Sequence, residues 1–532
     1  MTMSQRNLCV VGLLVLLVAC SRPTENVAAA KPAVAAPPAK AGIAWKHAVS
    51  EADVDAAFAQ ARQDGRPLFL YWGAKWCPPC NQLNATLFNR NDFIERSRAF
   101  ASVYIDGDSP GAQRLGARFK VRGYPTMVIF NAQGTELTRL PGEVDAAQYT
   151  QVLTLSMNAR RPVSQVLADA RAGGKGLSAN DWLLLAFYSW ETDEQQAVPK
   201  ADLPAVLAII AKACPAEQAE ASTRLLLKAL AAGPAATQPD AAKTLRVMGV
   251  LGDANQARTH MDVLGNNAAE IVRGLAVPAT APRNDLLAAF DSALRRLEAD
   301  ASLSRADRLT ALYARVELAR IDEPKDKPVA LPSAMLAELR EHIARADREI
   351  SDGYERQAVI PFAGYVLQQA GLLDESDTLL TANLTKSHSP YYLMSELASN
   401  AKKRGDKTVA LRWSEQAFDK SVGAATRLQW GASYVGSLVE LAPLDEARIE
   451  KAALQLLDEA AAQPDAFFER SARSLQRMGS RLQGWNKQGA HAPVMKRLQT
   501  RVDTLCRALP PGDAQRTVCE GLLKQALPKD DA

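Results

Sequence analysis

Residues 69–83 read FLYWGAKWCPPCNQL and place Cys77 and Cys80 three apart, directly after an apolar run and beside Trp72 and Trp76. Two cysteines at that spacing can form a redox centre, half of a metal site, or a small covalent staple. In the first turn of a helix their Cα atoms stand about 5–5.5 Å apart, inside the disulfide range. The unpaired N–H groups and the positive dipole end of such a turn stabilise a thiolate. Pro79 suits the turn because its missing N–H would have no helical partner there. Cys77 is then the nucleophile and Cys80 the resolving thiol.

The other two chemistries fit less well. A zinc site needs two more ligands at short spacing, and the chain has no second CxxC and only five scattered histidines. A purely structural disulfide across two residues would constrain little of the unfolded chain. No metal or other cofactor is expected: there is no phosphate loop, no haem-attachment CxxCH, no Ser/His/Asp set and no catalytic carboxylate pair. Lys75 is read as a solvated charge that could also lower a neighbouring thiol pKa.

The elements around the pair follow from periodicity. Residues 51–64 have helical apolar spacing and stop at Gly65. Residues 67–72 form a short continuous apolar run, as a buried strand does, and 81–88 read as helix. A second buried strand spans 100–105, followed by a short helix at 112–119. The runs 126–130 and 135–140 flank Asn131-Ala-Gln-Gly134, a hairpin signal, and 145–157 closes the segment as helix. This order is that of an α/β domain over 43–161.

The segment resembles the thioredoxin superfamily, in particular the exported thioredoxin-like domains of bacterial electron-relay proteins. The resemblance rests on Trp76-Cys77-Pro78-Pro79-Cys80 after a strand, Tyr124-Pro125-Thr126 before a strand, and Gly142 after the last strand. It covers about a fifth of the chain. It implies thiol-disulfide exchange through a mixed disulfide, a cis Pro125 beside the cysteines, and Trp76 and Tyr124 in contact with a partner. Reduction is the direction it favours; oxidase or isomerase activity differs only in redox poise. Two departures stand out: Tyr71 occupies a position where thioredoxins proper carry a buried carboxylate, and Pro78 replaces their glycine.

The N-terminus bears on compartment. Arg6 and the apolar stretch 8–19 suit a signal peptide and are too short to span a bilayer, which takes about 20 residues. Leu17-Val18-Ala19-Cys20 resembles the bacterial lipobox, which implies cleavage after residue 19 and lipidation of Cys20. Residues 20–42, rich in Ala and Pro, form a tether that cannot build a core. The chain is thus expected in the cell envelope, lipid-anchored and facing the periplasm, with Ser21 favouring the outer membrane.

With Cys9 removed and Cys20 lipidated, five of the seven cysteines remain. Cys506 and Cys519 flank a Pro-Pro-Gly-Asp turn and are expected to form a structural disulfide in an oxidising compartment. Cys214, at the end of an apolar helix, is expected to be a buried small hydrophobe.

After residue 161 the strand-like runs vanish. Residues 162–532 read as an all-α region of roughly sixteen to twenty helices. Gly371 and Gly405, 34 apart, open two similar units, with Gly364 and Ala398 before them and Ser376 and Ala410 after. Over 357–422 that spacing resembles the tetratricopeptide repeat. Tyr391, Tyr392, Trp413 and Trp430 read as packing aromatics. Such stacks often hold a partner on a concave face.

A net charge of +4, from 63 Lys and Arg against 59 Asp and Glu, with 6% aromatics, gives no nucleic-acid signature. The expected partners are disulfide-bearing protein clients and an upstream electron donor. The competing account is a lipoprotein adaptor whose helices bind envelope partners while the redox domain is inactive.

Overall fold

The computed structural model describes residues 42–524, apart from 143, 191–192, 194–196, 239 and 324–329. The signal peptide, Cys20 and all of the tether except residue 42 lie outside the described residues. Among those described, no helix is long and apolar enough to cross a membrane.

The α/β part contains β1 (Lys46–His47), α1 (Glu51–Asp64), β2 (Leu68–Gly73), α2 (Pro78–Thr86), α3 (Asn91–Ser97), β3 (Ala101–Asp106), α4 (Ala112–Phe119), β4 (Thr126–Phe130), β5 (Glu136–Leu140) and α5 (Ala146–Met157). The five strands lie in the order β1-β3-β2-β4-β5. β1 and β2 run parallel to β3, whereas β4 is antiparallel to both β2 and β5. β2 is central and buried at every residue, which explains its unbroken apolar run. Leu68, Leu70 and Trp72 face α1 and α4, while Phe69 and Tyr71 face α2, α3 and α5. The helix expected at residue 81 begins at Pro78, because Cys77 is its N-cap. Neither β1, two residues long, nor α3, with one buried aromatic at Phe93, has a period that sequence could reveal.

Local chemistry sets the element ends. Ser50 Oγ accepts from the Asp53 N–H at 3.2 Å and starts α1, and Gly65, at φ 65°, ends it. In the β4–β5 turn, Asn131 Oδ1 accepts from the N–H groups of Gln133 and Thr135.

From Val163 onward the described residues form twenty α-helices, α6 (Val163–Arg171) to α25 (Gln515–Gly521). Packing does not break near residue 161: one apolar cluster runs from Phe69, Tyr71 and Tyr149 through Val166 and Trp182 to Leu225. Farther along come α17 (Gly353–Gln369), α18 (Leu373–Asn383), α19 (Pro390–Lys403) and α20 (Lys407–Lys420), two consecutive helical hairpins. Their turns hold Gly371 and Gly405 at φ 81° and 79°. At Gly364 a Cβ would stand 2.5 Å from Leu380 Cδ2, and the Gly364 carbonyl accepts from Ser376 Oγ at 2.8 Å. Small residues at these positions therefore let α17 and α18 approach closely.

Candidate active site

The chain turns from β2 into α2 at Trp76-Cys77. Asn81 fixes that turn: its Nδ2 donates to the carbonyls of Lys75 and Cys77, both at 2.8 Å. Cys77 caps the helix, its Sγ accepting from the Cys80 N–H at 3.2 Å. Pro78 and Pro79 fill the first two helical positions without leaving a free donor. Cys77 and Cys80 are joined as a disulfide with Cα atoms 5.2 Å apart. Lys75 is exposed.

The Tyr124–Pro125 peptide is cis. Gly142 lies against Pro125, where a Cβ would come within 2.8 Å of Pro125 Cγ. Tyr124 packs edge-on against Trp76, with ring centroids 5.6 Å apart, and beside Gly107, where any side chain would meet its hydroxyl. Burial pushes the Tyr124 pKa upward.

Sequence reasoning missed what covers this centre. Trp76 is 7% exposed, Cys77 2% and Cys80 0%. The Trp76 carbonyl accepts from Gln357 Nε2 of α17 at 3.0 Å. Its ring stacks on Tyr392 of α19 at 5.8 Å, and the Arg470 guanidinium lies 4.1 Å from its centroid. The indole N–H donates to Asp108 Oδ2 at 2.7 Å, and Asp108 also accepts from the Thr426 N–H and Oγ1 at 2.8 and 2.6 Å. Gly423, at φ 107°, makes room for Asp108, whose carboxylate a Cβ there would strike. Arg470 belongs to α23 (Glu469–Trp485) and Thr426 to α21 (Ala424–Leu441). Apart from the Trp76–Asp108 bond, these contacts join residues about 280 to 390 positions apart, a separation that carries no local pattern.

Tyr71 is buried, and burial, with Tyr104 and Asp106 nearby, holds its pKa well above the usual phenol range. The carboxylate nearest in sheet register is Asp106, level with Gly73 at the end of β2; burial raises its pKa. On the other side of α2 a cavity of about 360 Å³ is lined by Pro78, Pro79, Gln82, Asp307, Tyr392 and Glu396, among others. Gln82 Nε2 donates to Asp307 Oδ1 at 2.7 Å. Burial pushes Asp307 up to about 6 and Glu396 up to about 7.

Cys506 and Cys519 are joined as a disulfide between α24 (Ala492–Ala508) and α25. They belong to the same apolar cluster as Cys77 and Cys80. Cys214 is a buried free thiol in the apolar cluster that runs from Phe69 to Leu225, its pKa pushed up to about 11 by burial. Tyr391 and Trp430 are buried and Trp413 half-buried, all packed among apolar side chains. No group of three or more His, Cys, Asp or Glu that could hold a metal ion occurs among the described residues.

Residues 54–155 match the family model of the thioredoxin-like domain. The α/β part of this chain is thioredoxin-like. The thiol:disulfide interchange protein DsbD 1 of Pseudomonas aeruginosa is 30% identical over 131 residues, 24% of this chain and 22% of that one. DsbD of Klebsiella pneumoniae is 31% identical over 142 residues, 26% of this chain and 23% of that one. The chain thus spans under a quarter of the length of the curated relatives it matches. Among solved structures, oxidised thioredoxin O1 of Arabidopsis thaliana is 20% identical, with 21% of this chain and 96% of that one covered and a TM-score of 0.18.

Proposed function

We propose that this protein is a thiol:disulfide oxidoreductase, working as a reductase through Cys77 and Cys80. One observation carries the reading: the two cysteines sit as a bonded pair at the N-terminus of a helix in a thioredoxin-like domain, beside Pro125. The similarity of this segment to thiol:disulfide interchange proteins supports it. In the reduced enzyme the Cys77 thiolate attacks one sulfur of a client disulfide, and the other client sulfur leaves as a thiolate. Cys80 then attacks Cys77 Sγ, releasing the second client thiol and closing the Cys77–Cys80 disulfide. Two electrons pass to the client, and an upstream dithiol restores the pair.

Cys20 carries a lipid anchor in the cell envelope, residues 20–42 hold the folded part off the membrane, and Cys506–Cys519 braces the end of the helical region. That region, 162–532 with its tetratricopeptide-like hairpins, positions the client. The near-complete burial of Cys77 favours a second reading, a helical adaptor with an inactive redox domain. The two part on a trapping experiment. With Cys80→Ser, the first reading expects envelope proteins to accumulate in mixed disulfides on Cys77, absent when Cys77→Ser is added. Full cellular function of both single variants, with no trapped client, would establish the adaptor instead.

A further inference from the structure

A client disulfide must reach Cys77 Sγ along the line of the bond it breaks, so the sulfur has to be open to a second chain. In the structure that approach is filled by the protein itself. α17 holds the Trp76 backbone through Gln357, and α19 covers its ring with Tyr392. α21 and α23 hold Asp108 through Thr426 and bring Arg470 over the indole. The start of α4 and the loop that leads to Tyr124 are fastened as well. The Gln113 N–H donates to Asp465 Oδ2 at 2.9 Å, Gln113 Oε1 accepts from the Arg470 N–H at 3.0 Å, and Arg473 donates to the Arg122 carbonyl at 2.9 Å.

We propose that the helical region closes the Cys77–Cys80 centre in cis, and that exchange with a protein client requires Trp76 to leave the site formed by Gln357, Tyr392, Thr426 and Arg470. This regulation rests on the oxidoreductase reading above. Part of the cover is apolar, since Trp76, Cys77 and Cys80 share a cluster with the helical region, but the contacts that hold Trp76 and Asp108 are largely polar, and such bonds exchange for water at small net cost. The cover's central cation is also incompletely paired: Arg470, 7% exposed, donates from Nε to Gln429 Oε1 at 2.7 Å and from Nη1 to Thr426 Oγ1 at 3.2 Å, but among the described residues its Nη2 has no hydrogen-bond partner, and Asp108 Oδ1 lies 3.8 Å from Nη1. Opening would hydrate that guanidinium, which offsets part of the lost contact. Glu469, next to Arg470, has φ 39°, a left-handed conformation at the point where α23 meets the redox domain.

The test compares N-ethylmaleimide with a maleimide carrying a long polyethylene glycol chain, on the reduced full-length protein, with modification read at Cys77 by peptide mass spectrometry. The ratio of bulky to small reagent rates cancels any change in the Cys77 pKa, which replacing a cation could cause. In wild type this ratio is expected at least about tenfold below that of the urea-unfolded chain, equivalent to about 1.4 kcal/mol of closing contact. Arg470→Ala and the uncharged change Gln357→Ala are each expected to raise it. A wild-type ratio equal to the unfolded value overturns the proposal, whether or not the variants fold. So does a ratio unmoved in folded variants. Equilibration of Cys77–Cys80 with glutathione buffers, measured alongside, reports on the redox reading separately: a pair that never exchanges sinks that reading while leaving the accessibility result intact.

Discussion

Glu396 gives the sharpest stability prediction. On α19, in the wall of the cavity beside α2, it is driven from the ordinary 4.5 up to about 7 by burial, with Lys403 opposing. Between those two values the folded protein binds more protons than the unfolded chain. The stabilisation is therefore complete below about 4.5 and is lost as pH rises through about 7. At 1.36 kcal/mol per pKa unit, the ionised side chain costs the fold up to about 3 kcal/mol at pH 8. A cooperative unit of roughly 470 residues has an unfolding entropy near 1 kcal/mol/K, so this converts to about 3 °C in Tm. Glu396→Gln keeps the shape and removes the titration. The two proteins should melt together near pH 4.5, and the variant should melt about 3 °C higher at pH 8, by tryptophan fluorescence at one heating rate. Asp307, raised from 3.8 to about 6 in the same wall, titrates in a lower window that Glu396→Gln leaves in place. A difference that is the same at every pH, or absent at pH 8, refutes the assignment of the loss to a buried Glu396 carboxylate.

Three further outcomes follow from packing and covalent geometry. Replacing Cys506 and Cys519 by serine opens a loop of sequence separation 13 and should cost about 3 kcal/mol by chain entropy, lowering Tm relative to oxidised wild type and converging with it under reducing conditions. Convergence failing would mean that the serines, not the lost bond, are responsible. Gly142→Val puts a side chain where even a Cβ meets Pro125 Cγ at 2.8 Å; displacing that loop should slow exchange at Cys77 by about tenfold or more in a dithiothreitol stopped-flow assay. An unchanged rate would show that Pro125 is not part of the reacting geometry. Gly364→Ala forces Leu380 away and should destabilise the α17–α18 hairpin by about 1–3 kcal/mol, visible as a lower Tm and faster amide exchange there.

What could be read in sequence is what short-range physics determines. The cysteine pair announces itself because two prolines and an N-capping sulfur use only the first turn of α2, and the β4–β5 hairpin because Asn131 and Gly134 act within their own turn. The approach of Cys506 to Cys519 was legible for the same reason: Pro510-Pro511-Gly512 folds α24 back on α25 locally. The cover over Trp76 was not legible, since Gln357 and Arg470 are ordinary surface residue types whose placement depends on how twenty helices stack. The raised carboxyls of Asp307 and Glu396 escaped notice for a related reason: desolvation belongs to the wall of a cavity assembled from distant segments, not to either residue's neighbours in the chain. A boundary at residue 161 follows from the change of texture there, but the cluster from Phe69 to Leu225 crosses it, because the outer face of α5 is itself apolar and buries against α7.

The Pro78-Pro79 pair connects these two levels. A helix N-terminus ordinarily presents free N–H groups, so covering one with other helices leaves buried donors unpaired at about 1–3 kcal/mol each. In this turn neither proline has an N–H to lose. The Cys80 N–H is taken by Cys77 Sγ at 3.2 Å, and the Asn81 N–H by the Cys77 carbonyl at 2.9 Å. The first turn of α2 is therefore packed beneath α17 with its remaining donors paired. Opening the cover leaves no donor in the turn waiting for water, so the balance between closed and open rests on the contacts of Trp76 and Arg470 rather than on the redox helix itself.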